Sequence, residues 1–288
     1  LYLAPAYLLV NGYLLFRILK WAGICTPVFK KRSVRIVVSL VYAFFEFSIP
    51  IAFVMAAGQA RRIMKLISNY WLGVLLYLVL AVMVAEIVRL ILCLVQRKSI
   101  RKIHSEKLFV AVGAVCAMVI IVFSIWGIIN ARIIRLTPYE VIVDKSAGDL
   151  DSLNVVLIAD LHLGYNIGIT HMTRMVELIN EQDADLVVIA GDIFDNEYEA
   201  LENPEKLAEI LNGIEAKYGV YACYGNHDIQ EPILAGFTFG GEDGKSCSQE
   251  MNQFMVKSDI RLLKDEAVLI DDSFYLYGRP DYERPGLG

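Results

Sequence analysis

The sequence predicts two parts in series, a bundle of about four transmembrane helices and then an α/β domain. More than half of the 288 residues are hydrophobic (56%), and the net charge is only −5. That small total hides a sharp asymmetry. Residues 1–135 carry 17 Lys and Arg against three Glu, whereas residues 136–288 carry 10 Lys and Arg against 29 acids. Such a contrast indicates that the two parts lie in different solvents.

Four apolar stretches in the first part are long enough, or nearly so, to cross a bilayer as helices, which takes about 20 residues. They span residues 1–19, 36–57, 70–95 and 108–130. The first two contain polar or helix-bending residues, namely Asn11, Arg17, Glu46 and Pro50. Buried helices of a soluble protein are the alternative, but these runs are too long and too uniformly apolar for that. Residues 1–135 are therefore predicted to form a multi-pass membrane domain.

The basic residues between the spans predict an orientation. The segments after the first and third spans hold ten Lys and Arg in total. The segment between the second and third spans and the segment after the fourth hold five in total. Because cytoplasmic loops are enriched in Lys and Arg, the two loops with more Lys and Arg are predicted to lie on the cytoplasmic side of a cell membrane. Four crossings then place the chain after Asn130 on the extracytoplasmic face.

Residues 136–288 show the alternation of strands and helices that is typical of a layered α/β domain. Strands are predicted from alternating or continuous apolar runs at residues 139–143, 154–159, 186–190, 220–223 and 274–277. Helices are predicted from apolar spacing at residues 170–181, 204–212 and 246–257, the second of them capped by Asn203. The run at 154–159 is continuously apolar, which predicts a strand buried on both faces.

Residues of the kind that bind metals follow three of these strands directly. The segments are Asp160-Leu161-His162, Gly191-Asp192-Ile193-Phe194-Asp195 and Gly225-Asn226-His227-Asp228. If the extended run continues past its strand, Asp160 and His162 point the same way and can hold one ion. Oxygen and nitrogen donors without thiolate favour Mn²⁺, Fe or Zn²⁺ over a structural cysteine-zinc site. Each motif alone is weak, but three at strand ends, where α/β sites lie, predict a metal site.

Other classes of function find no support in the sequence. It contains no phosphate-binding P-loop, no dinucleotide-binding glycine pattern and no nucleophilic Ser or Cys elbow. The acidic second part would repel a polyphosphate backbone, so no nucleic-acid partner is expected.

The three motifs resemble those of the calcineurin-like metallophosphoesterase superfamily. The chain is most similar to its bacterial membrane-anchored branch, which includes relatives of the UDP-2,3-diacylglucosamine pyrophosphatase, and the resemblance covers residues 153 to about 281. It implies an αββα sandwich with two divalent metal ions (Mn, Fe or Zn) in the site. It also implies a role for each residue: Asp160 and His162 on the first metal, Asp192 bridging both, Asn226 on the second, His227 beside the scissile phosphate as acid or charge stabiliser, and Asp195 and Asp228 orienting the ligands.

The sequence departs from the family pattern after the third motif. The family has a further His and then a Gly-His-x-His motif, but no His follows His227 in this sequence. The chain also opens on Leu1 rather than Met. A fragment that lacks part of the domain at its C-terminus is therefore expected.

The function expected from the resemblance is hydrolysis of phosphomono- or diesters by a hydroxide that a pair of metal ions activates. Attachment to the membrane would favour a lipid-linked substrate. The alternative is a non-catalytic membrane protein, a transporter or a sensor, with a degenerate metal-binding domain of this kind. In that case the helical part, with Glu46 inside a span, would be the active part.

Overall fold

The computed structural model of the chain divides into two compact units, Leu1–Ile133 and Ile134–Gly288. The structure describes residues 4–95, 106–148, 150–230, 233–234, 237–238, 248–279 and 281.

Four long apolar helices form the first unit, as predicted. Their bounds are α1 (Ala4–Cys25), α2 (Arg32–Val54), α3 (Gln59–Val95) and α4 (Glu106–Asn130), with a 3₁₀ turn at Pro27–Lys30 between the first two. All four are long and apolar enough to cross a membrane. Most of their large apolar side chains are exposed in the isolated chain. A helix that exposes apolar side chains all round is stable in lipid rather than in water.

Polar side chains join the membrane helices where they are buried. Tyr42 of α2 donates to Asn11 Oδ1 of α1 (2.8 Å), and Asn11 is completely buried. The α1 residue Trp21 donates from Nε1 to the carbonyl of Val110 on α4 (3.1 Å). Gly113 makes this approach possible, since a Cβ there would lie 2.1 Å from the Trp21 ring. A buried polar group in hydrocarbon needs such a partner, so these contacts fix which helices lie side by side.

The second unit is built on a four-stranded parallel sheet with the strand order β1-β2-β3-β6. Its strands are β1 (Val155–Ile158), β2 (Leu186–Ala190), β3 (Val220–Cys223) and β6 (Ile260–Leu262). Two short antiparallel pairs complete the described strands: β4 (Ile233–Leu234) with β5 (Phe237–Thr238), and β7 (Glu266–Ile270) with β8 (Phe274–Gly278). The α/β class with a parallel sheet is thus confirmed.

Three helices bury their apolar sides against one face of this sheet. They are α5 (Ile169–Asn180), α6 (Pro204–Leu211) and α7 (Gln249–Lys257). In α5 the buried residues recur at helical spacing, namely Met172, Met175, Val176 and Ile179. They share one core with the sheet residues Val187, Ile189, Val220 and Ala222. The predicted cap of α6 is present, because Asn203 accepts a hydrogen bond from the backbone of Lys206.

Two strand predictions were wrong. Residues 139–143 belong to no strand, and Tyr139, Val141 and Ile142 are exposed. The alternating pattern there finds no neighbouring strand among the described residues, and an unpaired strand is not stable. The second wrong prediction is that the strand at residues 154–159 is buried on both faces. This strand is β1, which is the first strand in the order of the sheet and has one exposed face. Leu157 in β1 is 68% exposed, because α5 to α7 cover only the opposite face.

In the second unit, the remaining predicted strands and helices lie within a residue or two of their predicted bounds, except for the start of the last helix, and some elements were missed. The strands β2 and β3 have the predicted ends, and β8 extends one residue further than predicted. The helix predicted at 246–257 begins at Gln249, capped by Ser248, and residues 246–247 lie outside the described residues. The sequence patterns gave no indication of β6 or β7. The loop at residues 96–105, whose basic residues weigh in the predicted orientation, also lies outside the described part of the chain.

Candidate metal centre

The loop after β1 brings Asp160 and His162 together by a left-handed turn rather than by continuing the strand. Both residues have positive φ angles, 54° for Asp160 and 47° for His162. The strand has already ended at Ile158, so the condition for the two side chains to point the same way along an extended run is not met. Their side chains nevertheless meet, with His162 Nε2 at 3.8 Å from Asp160 Oδ1.

The loops after β1 and β2 run side by side and continue the pairing of their strands. Asp160, His162 and Leu163 donate their backbone N–H groups to the carbonyls of Gly191, Asp192 and Ile193, at 3.3, 2.9 and 2.8 Å. This ladder fixes the backbone of the first motif against that of the second. It therefore holds the positive φ angles of Asp160 and His162, which would otherwise be costly.

Two glycines let the loops after β2 and β3 touch backbone to backbone. Gly191 has a φ of +79°, and a Cβ on it would lie 2.8 Å from the backbone of Gly225. A Cβ on Gly225 would lie 2.2 Å from Asp192 Oδ1. The same Asp192 oxygen accepts a hydrogen bond from the backbone N–H of His227 (2.8 Å). The two loops can therefore approach each other this closely only because both positions are glycine. Asp192 Oδ1 accepts the hydrogen bond from His227, so Oδ2 of Asp192 remains for a ligand.

Asp228 ties the second motif to the third from inside the protein. It is fully buried, its Oδ1 accepts from the backbone of Phe194 (2.8 Å), and its Oδ2 accepts from the backbone of Gly225 (2.7 Å). A carboxylate that accepts two backbone N–H groups holds both loops in one geometry. These contacts support the predicted orienting role of Asp228.

His227 is held by a residue that the sequence patterns did not single out. The amide oxygen Oδ1 of Asn196 lies 2.5 Å from Nδ1 of His227, and the backbone N–H of Asn196 donates to the carbonyl of His227 (3.2 Å). Because an amide oxygen only accepts, this contact places a proton on Nδ1 and leaves Nε2 for a ligand or a substrate. Asn196 is buried with a φ of 58°. The signal in the sequence was its place directly after Asp195, since Asn tolerates left-handed backbone.

The side chains of the three motifs converge into one cluster of metal-ligand atoms. Two groups, each with its ligand atoms within 4.8 Å of one another, share His162: Asp160, His162 and Asp192 in the first, and His162, Asp195 and His227 in the second. The rings of His162 and His227 meet edge to face at 4.8 Å. Asn226 is exposed in the loop directly before His227. Carboxylate and imidazole donors in one open cluster fit a divalent transition ion.

Asp195 lies beside His162 at the centre of the cluster. Its Oδ1 lies 3.7 Å from His162 Nδ1, and its carboxylate belongs to the second ligand group. Asp195 raises the pKa of His162 above its ordinary value, by its contact with the ring and by its charge. Burial of the ring acts in the opposite direction, and the charges of Asp192 and Asp160 add to the increase. The site is therefore an electronegative cluster suited to a cation.

Three converging strand-end loops with this donor set are typical of an α/β domain that binds divalent metals. Residues 153–281 match the family model of the calcineurin-like phosphoesterases. The second unit of the chain therefore carries a calcineurin-like metallophosphoesterase domain, attached in sequence to four apolar helices that fit a membrane protein.

The chain is similar to proteins named as metallophosphoesterases or as a pyrophosphatase, one of which is also named as a transmembrane protein. A zebrafish (Danio rerio) transmembrane protein with metallophosphoesterase domain is 32% identical over 40% of this chain and 26% of its own length. An uncharacterized metallophosphoesterase of Campylobacter jejuni is 32% identical over 40% of this chain and 30% of its own. The UDP-2,3-diacylglucosamine pyrophosphatase of Chlamydia trachomatis is 28% identical over 42% of this chain and 38% of its own.

The chain thus spans about a quarter to two-fifths of the length of these curated relatives. No solved structure matches it significantly.

Proposed function

We propose that this protein is a membrane-anchored, metal-dependent phosphoesterase that hydrolyses lipid-linked phosphomono- or diesters. Residues 1–135 form its membrane domain and residues 136–288 its phosphoesterase domain. The observation that carries the proposal is the convergence of Asp160, His162 and Asp192 with Asp195 and His227 at the carboxyl ends of β1, β2 and β3.

We assign the metal ligands by extending the resemblance to the observed cluster. Asp160 and His162 would hold one divalent ion, Asn226 would hold a second, and Asp192 would be a ligand of both. Bound divalent ions supply Lewis acidity that activates water and neutralises the charge of a phosphate. Mn²⁺, Fe and Zn²⁺ all suit this donor set.

The residues of the chain have distinct tasks in this proposal. Asn196 keeps the proton of His227 on Nδ1, so Nε2 faces the site and holds or moves a proton at the leaving oxygen. Asp228 keeps the second and third loops in register, and Asp195 orients His162. The open side of the cluster, where Asp160 is 71% exposed, leaves room for a substrate.

The lipid-linked substrate class is supported by two observations. The four apolar helices anchor the chain in a membrane, which raises the local concentration of substrates in the same bilayer. The Chlamydia trachomatis relative is named as a pyrophosphatase of UDP-2,3-diacylglucosamine, which carries acyl chains. The excess of Lys and Arg in two loops supports a cell membrane with the catalytic domain on the extracytoplasmic face. Protection of the second unit from added protease in intact cells would contradict that orientation.

The test is hydrolysis by the full-length protein with Mn²⁺, comparing Asp192→Asn with Asp259→Asn. Both residues have left-handed backbone, with φ of 51° and 53°, and Asn tolerates that conformation, so the pair is matched in its effect on folding. Replacing a residue that only supports a metal ligand typically costs about 10–100-fold, so we expect the loss of a direct ligand in Asp192→Asn to lower kcat by about 100-fold or more, and Asp259→Asn to retain full activity. Equal rates for the two variants would overturn the proposal.

The substrate class is tested separately. A lipid-linked phosphoester in mixed micelles is compared with the same head group after removal of its acyl chains. We expect a higher kcat/KM for the lipid-linked form. Equal values would retain the phosphoesterase and remove the lipid preference.

A further inference from the structure

The membrane unit contains a long apolar cavity between α1, α3 and α4. Its volume is about 750 Å³, well within the roughly 300–1,000 Å³ of ligand-binding pockets. The lining runs along α4 from Leu108 to Phe123, a length of about 22 Å at 1.5 Å per residue. That length exceeds the roughly 15 Å of hydrocarbon in one leaflet. The cavity therefore has the dimensions to hold an extended alkyl chain.

One end of this cavity is positively charged. Arg17 of α1 and Arg89 of α3 both belong to its lining, beside Leu108 and Phe109 at the start of α4. Their guanidinium groups flank a single carboxylate, with Arg17 Nη2 at 2.7 Å and Arg89 Nη1 at 3.0 Å from the two oxygens of Glu86. Two cations on one carboxylate leave an excess positive charge at the mouth of an otherwise apolar cavity.

The membrane unit offers little to neutralise that excess. Residues 1–133 contain only three acids, Glu46, Glu86 and Glu106, and within the described residues Glu86 is the sole carboxylate that forms an ion pair with Arg17 or Arg89. Lys20 adds further positive charge nearby, because its Nζ and the Arg17 guanidinium both lie over the ring of Phe109, at 5.7 and 5.1 Å. An ionised group inside a membrane span is costly unless it is paired, so this end of the cavity favours an anion.

We propose that the cavity binds one anionic glycerophospholipid, with its phosphate at Arg17 and Arg89 and an acyl chain along α3 and α4. Arginine matches phosphate oxygens through two parallel N–H groups, and the apolar lining offers nothing to a water-soluble anion beyond that end. The wall is preformed, since the contact of Trp21 with Val110 holds α1 against α4. This site is separate from the metal centre and needs neither a metal ion nor hydrolysis.

The experiment measures lipid binding to the full-length protein by native mass spectrometry after purification in a neutral detergent. The probes are phosphatidylglycerol and phosphatidylcholine, which share the phosphate but differ in net charge. We expect selective retention of a single phosphatidylglycerol. The double variant Arg17→Gln with Arg89→Gln is expected to bind it about 30-fold more weakly, since each arginine near a lipid phosphate is worth about 1 kcal/mol, or about fivefold in affinity.

A matched pair of arginines controls for bulk charge. Arg32→Gln with Arg35→Gln removes the same charge from exposed positions at the start of α2 and should leave binding unchanged. Loss of phosphatidylglycerol in both double variants alike would overturn the proposal, because it would show general attraction to basic protein. Unchanged binding in the Arg17 and Arg89 variant would overturn it as well.

Two further variants separate lipid binding from a purely structural role. Glu86→Gln removes the internal carboxylate that competes with the lipid phosphate, so we expect tighter binding of phosphatidylglycerol. If the ion pair were purely structural, Glu86→Gln would not bind phosphatidylglycerol more tightly. A monodisperse Glu86→Gln protein without tighter binding would therefore count against the site. Val115→Trp fills the apolar part of the cavity and should abolish retention without changing any charge. Full retention in that variant would place the lipid elsewhere and overturn the proposal.

Discussion

Replacing Asp228 tests whether one buried carboxylate holds two loops of the metal centre together. Its two oxygens accept the backbone N–H groups of Phe194 and Gly225, at 2.8 and 2.7 Å, and its side chain is fully buried. Asp228→Ala leaves both donors without a partner in a space that excludes water. Asp228→Asn keeps the shape but retains only one acceptor oxygen, so it turns an NH₂ group towards one of the two donors.

The free energy that holds the two loops closed should differ between Asp228→Asn and Asp228→Ala by the contribution of one hydrogen bond to a charged group. Hydrogen bonds to a charged group are worth about 1.5–3 kcal/mol, and a buried donor without a partner costs about 1–3 kcal/mol. Asp228→Asn therefore loses about 1.5–3 kcal/mol in the free energy that holds the loops closed. Asp228→Ala loses about 3–5 kcal/mol, which lies in the range of the largest single-residue effects.

Hydrogen exchange followed by mass spectrometry measures this locally in the full chain. We expect faster exchange in peptides that contain Phe194 and Gly225, by about tenfold to 100-fold in Asp228→Asn and by more in Asp228→Ala, because 1.4 kcal/mol corresponds to a factor of ten. Asp259→Asn, an exposed aspartate at the end of α7, is the control and should leave these peptides unchanged.

Comparing the hydrogen exchange of the two loops shows whether Asp228 holds them together. If Asp228 acts as a cross-link, both loops lose protection together. Faster exchange at only one of the two amides, or none at either, would refute the argument that Asp228 couples the second motif to the third.

Three further predictions concern the metal centre. Asn196→Ala removes the acceptor for Nδ1 of His227, and we expect kcat to fall about 10–100-fold while Mn²⁺ affinity changes less, measured by turnover and by metal titration. Gly225→Ala places a methyl group against Asp192 Oδ1, so we expect about 1–3 kcal/mol or more of destabilisation, visible as a lower thermal transition with no gain on adding metal. Adding Mn²⁺ after chelation should raise the thermal transition of the native protein, and Asp192→Asn should abolish most of that increase, because an ion stabilises only a fold that binds it. An equal shift in the native protein and in Asp192→Asn would contradict the assigned site.

The elements that could be predicted are those whose pattern is decided by local chemistry. Residues 186–190 and 220–223 are continuous apolar runs, and both are central strands with the predicted ends. The helix α6 was fixed by Asn203 and Pro204, which act within one turn. Residues 139–143 show an equally good alternation but form no strand, because a strand also needs a neighbour to pair with, and that condition is not local.

The candidate site was predictable in its residue types but not in its geometry. The position of the motifs at strand ends indicated that Asp160, Asp192 and His227 would meet, and the structure brings them together. The left-handed backbone in the first two motifs could not be predicted, since Asp and His tolerate it more readily than most residues but still adopt it at only a small share of positions. The partner of His227 was missed for a related reason. Asn196 reaches the imidazole only because Asp228 fixes the two loops side by side.

The distribution of backbone strain explains why the cluster needs so many hydrogen bonds between loops. Asp160, His162, Asp192 and Asn196 all have positive φ angles between 47° and 58°, and each such residue costs of the order of 1–3 kcal/mol. In addition, the carboxylates of Asp160, Asp192 and Asp195 all lie around the imidazole of His162 and repel one another. The ladder between the first two loops and the two hydrogen bonds to Asp228 oppose both effects. They hold the ligand atoms of the three loops close together through contacts within the chain itself.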